Sequence, residues 1–259
     1  MDKKQIAKLL PLFTFFSFCW LTVGCSSLPK KMERLSYKPL KTTHFIIATW
    51  ATELTPKHTL RIYIEGDSKA NFFGKPEPKN KVVRHLAQRD KAQNVVYIAQ
   101  PCQYIQNNNC VLKVWKNGRY AVEMVQAVQS VVEHYAEKYR IEDIELIGYD
   151  GGGTIAALIA ARIRLPVKLI TISGILDPKA YTALHKDELL YDPLNPMNEN
   201  YILAGVPQVH YVAGNDDVFP KEFTETFVAH MPNPVSVQVR LLQSATHDNW
   251  DEKNVEFKF

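Results

Sequence analysis

A carboxylate stands at the tip of a glycine-rich turn. Residues 144–161 read I-E-L-I-G-Y-D-G-G-G-T-I-A-A-L-I-A-A, which predicts an apolar strand, a sharp turn and an alanine-rich helix. Asp150 occupies the turn, between Gly148 and Gly152. The N-terminus of a helix favours negative charge, so we expect an ionised carboxylate at this turn. Gly151 to Gly153 suit a phosphate-binding loop as an alternative, but the Lys-Ser/Thr ending and the dinucleotide pattern are both absent.

An acid and an imidazole follow downstream, each just past a predicted strand. The stretch N-D-D-V-F-P follows the strand Q-V-H-Y-V-A-G, and Q-S-A-T-H-D-N-W follows the last strand. His247 is therefore the candidate base. The first of these stretches resembles the G-x-x-D-x-x-V-P loop of α/β-hydrolases with one residue missing. Counting from Gly214 in that pattern selects Asp217 as the acid, which we favour, whereas counting back from Pro220 selects Asp216. Either aspartate also suits an Asx turn or a helix cap.

The order carboxylate, acid, histidine on a strand-turn-helix resembles the α/β-hydrolase fold, whose elbow motif is G-x-S-x-G. The stretches Y-I-E-G-D, A-Q-P-C-Q-Y, G-Y-D-G-G-G, I-L-D-P and A-T-H-D extend the resemblance to exported bacterial members of that superfamily. Relatives with serine at the elbow look like esterases or lipases, and Asp150 replaces that serine here. The resemblance also implies two oxyanion-hole donors, the N–H of Gly151 and that of Gly66 or Asp67.

Aspartate at the elbow changes the chemistry that the resemblance implies. An ionised carboxylate attacks an sp3 carbon directly, as in the similar haloalkane dehalogenases and epoxide hydrolases. Those families place tryptophan after the aspartate, where Gly151 stands here. Epoxide hydrolases protonate the opening oxygen with lid tyrosines, a role open to Tyr181, Tyr191 and Tyr201, although a pocket wall explains them equally well.

Three interpretations therefore remain open from the sequence. The first is a hydrolase with Asp150 as nucleophile, and the second is a hydrolase of ester-like substrates in which another group or water attacks. The third is a non-catalytic lipoprotein that has lost its nucleophilic serine and binds a ligand or partner. The two hydrolase interpretations predict a small-molecule substrate. The non-catalytic interpretation predicts a small-molecule ligand or a partner.

The elements that must position these residues alternate along the chain. Predicted strands and helices follow one another from residue 44 onward, and the strands are almost continuously apolar. This pattern predicts an α/β fold with a mostly parallel central sheet flanked by helices. Residues 177–205 interrupt the alternation with prolines, tyrosines and polar turns, which predicts a short lid-like insertion.

The N-terminus predicts export and lipid attachment. Three lysines precede an apolar run over residues 9–23, and L-T-V-G-C-S-S follows. We predict a lipoprotein signal peptide over residues 1–24, with palmitate-type lipidation at Cys25, a tether over 25–43 and the hydrolase-fold domain over 44–259. Serine after the cysteine favours the outer membrane, facing the periplasm, as the location in the cell envelope.

Composition limits the remaining functions. The 259 residues carry a formal net charge of +4, part of it in the first eight residues, so no nucleic-acid partner is predicted. Cys102 and Cys110 are predicted to form a disulfide, because export takes them to an oxidising compartment. Their spacing matches no zinc site, and neither a metal nor an organic cofactor is predicted.

Overall fold

An eight-stranded sheet runs through the computed structural model, which describes residues 34–186 and 190–250. The strands are β1 (Ser36–Tyr37), β2 (Leu40–Lys41), β3 (Ile46–Ile47), β4 (Thr49–Ala51), β5 (Leu60–Ile64), β6 (Ser68–Ala70), β7 (Pro76–Pro78), β8 (Asn94–Ile98), β9 (Ile144–Tyr149), β10 (Val167–Ile172), β11 (Gln208–Asn215) and β12 (Val237–Thr246). Their order in the sheet is β1-β4-β8-β5-β9-β10-β11-β12. Six strands are parallel to one another, namely β8, β5, β9, β10, β11 and β12, and β4 is antiparallel to both its neighbours. The predicted mostly parallel sheet is confirmed.

Helices cover both faces of this sheet. They are α1 (Val82–Arg89), α2 (Val122–Lys138), α3 (Gly151–Ala160), α4 (Pro178–His185), α5 (Asn200–Leu203) and α6 (Lys221–Ala229), with a π-helical turn at Lys113–Asn117 and a 3-10 turn at Pro196–Glu199. On β5, Ile62 and Ile64 join the hydrophobic cluster that contains α2 and α3, whereas Tyr63 joins the cluster that contains α1. The two-residue period of a strand therefore divides the core into two layers.

The domain begins earlier than the sequence predicts. Residues 34–43 were assigned to the tether, but β1 pairs with β4 and β2 pairs with β3. Leu35 is buried, and the ring of Tyr37 lies 5.1 Å from that of Trp50. The physical reason is that β4 is a short outer strand, and β1 supplies its second hydrogen-bonded neighbour. The predicted signal peptide and Cys25 lie outside the described residues.

Two segments leave the main sheet near the carboxyl ends of its strands. β6 and β7 form an antiparallel hairpin between β5 and α1. The insertion predicted at 177–205 contains α4, the 3-10 turn and α5. Within the described ranges, no helix is long and apolar enough to cross a membrane.

Candidate active site

The turn between β9 and α3 has the geometry of a strained elbow. Asp150 has φ 51° and ψ −127°, a conformation that non-glycine residues adopt rarely. A Cβ atom on Gly152 would lie 2.4 Å from the carbonyl oxygen of Ile64, so the close approach of α3 to β5 requires glycine there. Asp150 is fully buried at the N-terminus of α3. The backbone thus fixes the carboxylate at one point above the sheet.

Three residues that are distant in sequence meet at this elbow. Nε2 of His247 lies 3.2 Å from Oδ1 of Asp150. Nδ1 of the same ring lies 2.9 Å from Oδ1 of Asp216. Asp216 directly follows β11 and His247 directly follows β12, so both come from the carboxyl edge of parallel strands, beside the end of β9. The arrangement is a carboxylate–imidazole–carboxylate triad.

The aspartate that contacts His247 is Asp216, and not Asp217, which the sequence analysis favours as the acid. Oδ1 of Asp216 accepts hydrogen bonds from the backbone N–H groups of Val218 and Phe219, at 3.0 and 2.8 Å. The hydroxyl of Ser173 donates to Oδ2 at 2.7 Å. These three donors hold the carboxylate inward, whereas Asp217 is exposed. Ser173 was not identified from the sequence, although its place just after β10 was an available signal.

One predicted oxyanion-hole donor contacts the elbow carboxylate itself. The N–H of Asp67 donates to Oδ2 of Asp150 at 3.0 Å. The N–H of Gly66, the other candidate, instead donates to Oε1 of Glu65 at 2.8 Å. Asp67 rather than Gly66 therefore faces the site. Gly151, the other predicted donor, is the first residue of α3, immediately after the elbow.

A lysine that lies in no sequence motif contacts the elbow carboxylate. Nζ of Lys79 lies 3.6 Å from Oδ2 of Asp150. Lys79 follows the β6–β7 hairpin, and its N–H donates to the carbonyl of Asp67 at 3.3 Å. The hairpin therefore connects two groups, Asp67 and Lys79, that contact the same oxygen. Because Lys79 belongs to no recognisable motif, only the folded chain reveals it.

The space beside Gly151 is filled by a second buried polar group. The carboxylate of Asp67 accepts from the hydroxyl of Tyr120 at 2.7 Å and lies 3.3 Å from the guanidinium of Arg119. A Cβ atom on Gly151 would lie 1.9 Å from Oδ1 of Asp67 and 2.5 Å from the hydroxyl of Tyr120. These atoms exclude the tryptophan that dehalogenase-like and epoxide-hydrolase-like sites carry at this position.

Protonation in the triad follows from burial and from the neighbouring charges. Burial alone raises the pKa of Asp150, but the charge of Lys79, the hydrogen bond and charge of His247 and the N–H of Asp67 together lower it well below its usual range. Burial lowers the pKa of His247, but its hydrogen bonds to Asp150 and Asp216, with their charges, raise it to about 10. At neutral pH the triad therefore holds an imidazolium between two carboxylates.

The loop that supplies Asp67 is clamped by a disulfide-closed segment. Cys102 and Cys110 form the predicted disulfide, with Cα atoms 5.4 Å apart. Between and beside them, Gln103 donates to the carbonyl of Gly66 and Gln100 to that of Glu65, both at 2.9 Å. The backbone that presents the N–H of Asp67 is thus held from its other side.

A buried carboxyl group lies in the same loop. Glu65 accepts a hydrogen bond from the hydroxyl of Tyr97 and is fully buried. Burial raises its pKa to about 7, against the opposing effects of Tyr97, the Gly66 N–H and Arg84. Glu65 therefore changes charge near neutral pH, behind the donor loop.

Only one of the three predicted lid tyrosines faces the site. Tyr181, on α4, is buried, and its hydroxyl lies in the electrostatic field of Lys79, Arg119 and Asp150. Tyr191 and Tyr201 are exposed. No group of three or more His, Cys, Asp or Glu side chains suited to a metal ion occurs in the part of the chain that the structure describes.

Comparisons with known proteins find likeness in structure only. No protein-family model matches the chain, and neither does any curated protein sequence. An α/β serine hydrolase homologue from Coxiella burnetii superposes with a TM-score of 0.57 at 16% identity, over 82% of this chain and 88% of that one. An esterase from Pyrococcus furiosus gives 0.61 at 13% identity, over 87% of each chain. The acylaminoacyl peptidase of Pyrococcus horikoshii gives 0.63 at 15% identity, over 82% of this chain but 37% of that one.

The chain has the α/β-hydrolase fold. At such low identity the likeness defines the fold and not the reaction, which has to be argued from the site.

Proposed function

We propose that this protein is a hydrolase that forms a covalent ester between Asp150 and a small-molecule substrate with an electrophilic sp3 carbon, such as an epoxide or an alkyl halide. The observation that carries the proposal is the different environment of the two carboxylate oxygens. Oδ1 faces Nε2 of His247, while Oδ2 accepts from Asp67 N–H and lies beside Lys79. Oδ1 thus has one partner, the ring of His247, whereas Oδ2 is held by two donors, and we assign the attack to Oδ1.

In the first step, Oδ1 of Asp150 attacks the carbon. A carbon–oxygen bond forms, and the electron pair of the breaking bond leaves with the halide or with the epoxide oxygen. Oδ2 becomes the carbonyl oxygen of the new ester. Tyr181, the lid tyrosine on the site side, donates the proton that an opening epoxide oxygen requires.

In the second step, water attacks Cγ of the Asp150 ester while His247 takes its proton. Negative charge then develops on Oδ2, the oxygen that already accepts from the Asp67 N–H and lies 3.6 Å from the Lys79 ammonium. These groups act as the oxyanion hole of the ester formed on the enzyme itself. Collapse of the intermediate breaks the bond from Cγ to Oδ1, and His247 gives the proton that it took from water to Oδ1, so the product alcohol leaves with Oδ1.

The same geometry determines when His247 can act as a base. While Asp150 is ionised, two carboxylates keep His247 protonated, and its pKa is about 10. Esterification removes the charge of Asp150 and leaves Asp216 as the remaining partner. The pKa of His247 then falls, so the imidazolium releases its proton to solvent, and the neutral ring can take a proton from the attacking water.

Trapping the ester tests the proposal. The His247→Gln variant is expected to gain the mass of the alkyl group on the peptide that contains Asp150 after incubation with a panel of epoxides and haloalkanes. The double variant His247→Gln/Asp150→Asn, which keeps the shape of the site without its nucleophile, is expected to gain none. A folded His247→Gln protein that gains no mass from any substrate, together with no turnover by the wild type, would contradict the proposal.

A second candidate function rests on the same three contacts of Asp150, considered as a set of paired charges. The carboxylate of Asp150 already has three partners, and their charges compensate its own. This arrangement favours a non-catalytic protein that binds a ligand or partner after loss of its serine. Its signature would be no adduct and no turnover in the wild type, with p-nitrophenyl esterase activity restored by Asp150→Ser.

We also propose that the protein is attached to the cell envelope through lipid on Cys25, at the periplasmic face of the outer membrane. The order of lysines, apolar run, glycine and cysteine at the N-terminus supports this. Metabolic labelling with a palmitate analogue is expected to mark the wild type and not Cys25→Ala. Equal labelling of both would contradict it.

A further inference from the structure

Two aromatic rings project from the tip of the β6–β7 hairpin. Phe72 is 96% exposed and Phe73 is 78% exposed, and the two rings contact each other edge to face with centroids 5.3 Å apart. Phenylalanine normally contributes to a core, so a pair of exposed rings at a loop tip indicates an interaction site.

Hydrogen bonds to Asn71 hold the turn at the tip in shape, and the two rings take no part in them. The side-chain oxygen of Asn71 accepts from the N–H groups of Phe73 and Lys75, each at 2.9 Å. The N–H of Gly74 donates to the carbonyl of Asn71 at 2.9 Å, and Gly74 has φ +69°. Both rings are therefore presented by a turn that is already formed, so little ordering cost opposes their binding.

A basic cleft lies directly behind the tip. This cavity of about 280 Å³ is lined by Lys69, Lys79, Lys81 and Arg84, with Glu77 as its one acidic lining residue. Lys75, beside the rings, adds another exposed positive charge. The apolar tip suits the acyl boundary of an anionic membrane, and the cations behind it suit the phosphate headgroups.

We propose that the β6–β7 hairpin docks on a bilayer that contains anionic phospholipid, with Phe72 and Phe73 inserted at the acyl boundary and headgroup phosphates in the basic cleft. A second protein is a poorer occupant, because two rings on a narrow tip offer far less than the roughly 800 Å² per partner of a stable interface. Two phenylalanines alone bind a membrane weakly, and the adjacent cations supply the second signal that stable attachment requires. The proposal holds whatever reaction occurs at Asp150.

Hydrogen exchange of the full chain reconstituted into vesicles tests the docking. Backbone amides of residues 70–75 are expected to exchange about tenfold more slowly in equal mixtures of phosphatidylcholine and phosphatidylglycerol than in phosphatidylcholine alone. The variant Phe72→Ser/Phe73→Ser, changed only at exposed positions, is expected to lose this slowing. Tyr201→Ser, which removes an exposed ring elsewhere, is expected to keep it. Lys69→Gln/Lys81→Gln is expected to abolish the difference between the two lipid mixtures.

Three results would overturn the proposal. One is equal exchange of the tip in both kinds of vesicle. Another is slowing that appears without vesicles as the protein concentration rises, which would indicate contact between two copies. The third is the same slowing with soluble glycerol phosphate alone, which would indicate a free anion in the cleft.

Discussion

The aspartate at position 150 is accommodated by a complete set of partners. A strained φ of 51° costs on the order of 1–3 kcal/mol and persists only where the surroundings enforce it. Here His247, Asp67 N–H and Lys79 all hold the carboxylate. A fixed negative charge would oppose an oxyanion from a bound ester, but in the proposed mechanism the donors stabilise an oxyanion that forms on Asp150 itself. The residue-scale geometry thus favours attack by the carboxylate.

The two neighbouring aspartates give a matched pair of variants. Asp216→Asn is expected to lower turnover by about 10²–10⁴-fold, because Asp216 orients His247 and compensates its charge. Asp217→Asn changes an exposed neighbour and is expected to leave turnover within about twofold. Steady-state kinetics on the substrate that labels His247→Gln would measure both. Equal losses in the two variants would remove Asp216 from the proposed triad.

The imidazolium predicts how stability depends on pH. The folded-state pKa of His247 is about 10, against 6.5 for the free side chain. Because the folded pKa is raised, this stabilisation is complete below pH 6.5 and is lost as the pH rises to about 10. Melting temperatures followed by circular dichroism are expected to fall through that range in the wild type and to change less in His247→Gln.

Glu65 must be separated from that effect. Its pKa is raised from 4.5 to about 7 in the folded state. Its contribution to stability is therefore lost as the pH rises from 4.5 to 7 and does not change further above pH 7. The range from pH 7 to 10 therefore reports on His247. Melting curves of the wild type and His247→Gln that stay parallel in this upper range would contradict the proposed charge state.

At the scale of elements, the sequence predicts much of the fold. The apolar runs of β5, β8, β9 and β10 and the spacing of α2 are strong local signals, because a buried parallel strand has few polar positions. The elbow was also predictable, since steric limits at its turn select glycine on both sides. Residues 34–43 were not, because the short strands β1 and β2 have too few residues to show a period.

The misassigned acid and the missed lysine have physical causes. Asp216 and Asp217 are adjacent, so their side chains diverge, and a shift of one residue moves the charge from the site to solvent. The pairing of β11 with β12 also changes register between Ala213 and Asn215, which disturbs any count from Gly214. Lys79 reaches the elbow only through the folded hairpin, and nothing local in the sequence marks it.

The disulfide-closed segment is expected to contribute measurable stability. Cys102→Ser/Cys110→Ser is predicted to lower the free energy of unfolding by about 2–3 kcal/mol, because the bridge closes a short loop and its neighbour Gln103 clamps the carbonyl of Gly66. Urea unfolding followed by fluorescence would measure the change, and reduced wild type should show the same loss. An unchanged midpoint would mean that the clamp holds without the bridge.

At the scale of the whole molecule, parallel strands bring separate loops to one edge of the sheet. Three carboxyl groups and three cationic side chains alternate there within a single network: Asp150, Asp67, Asp216, His247, Lys79 and Arg119. Esterification of Asp150 would unbalance this network by removing one negative charge. In the proposed mechanism, the fold therefore links the first chemical step to the protonation state of the base used in the second.

One measurement tests this account most directly. With enzyme in excess over a substrate that labels His247→Gln, each wild-type molecule turns over once in water labelled with heavy oxygen. Water attack at Cγ predicts that the label appears in the peptide containing Asp150 and that the product alcohol carries ordinary oxygen from Oδ1. Label in the product, with none in Asp150, would mean that water attacked the substrate and that Asp150 is not the nucleophile.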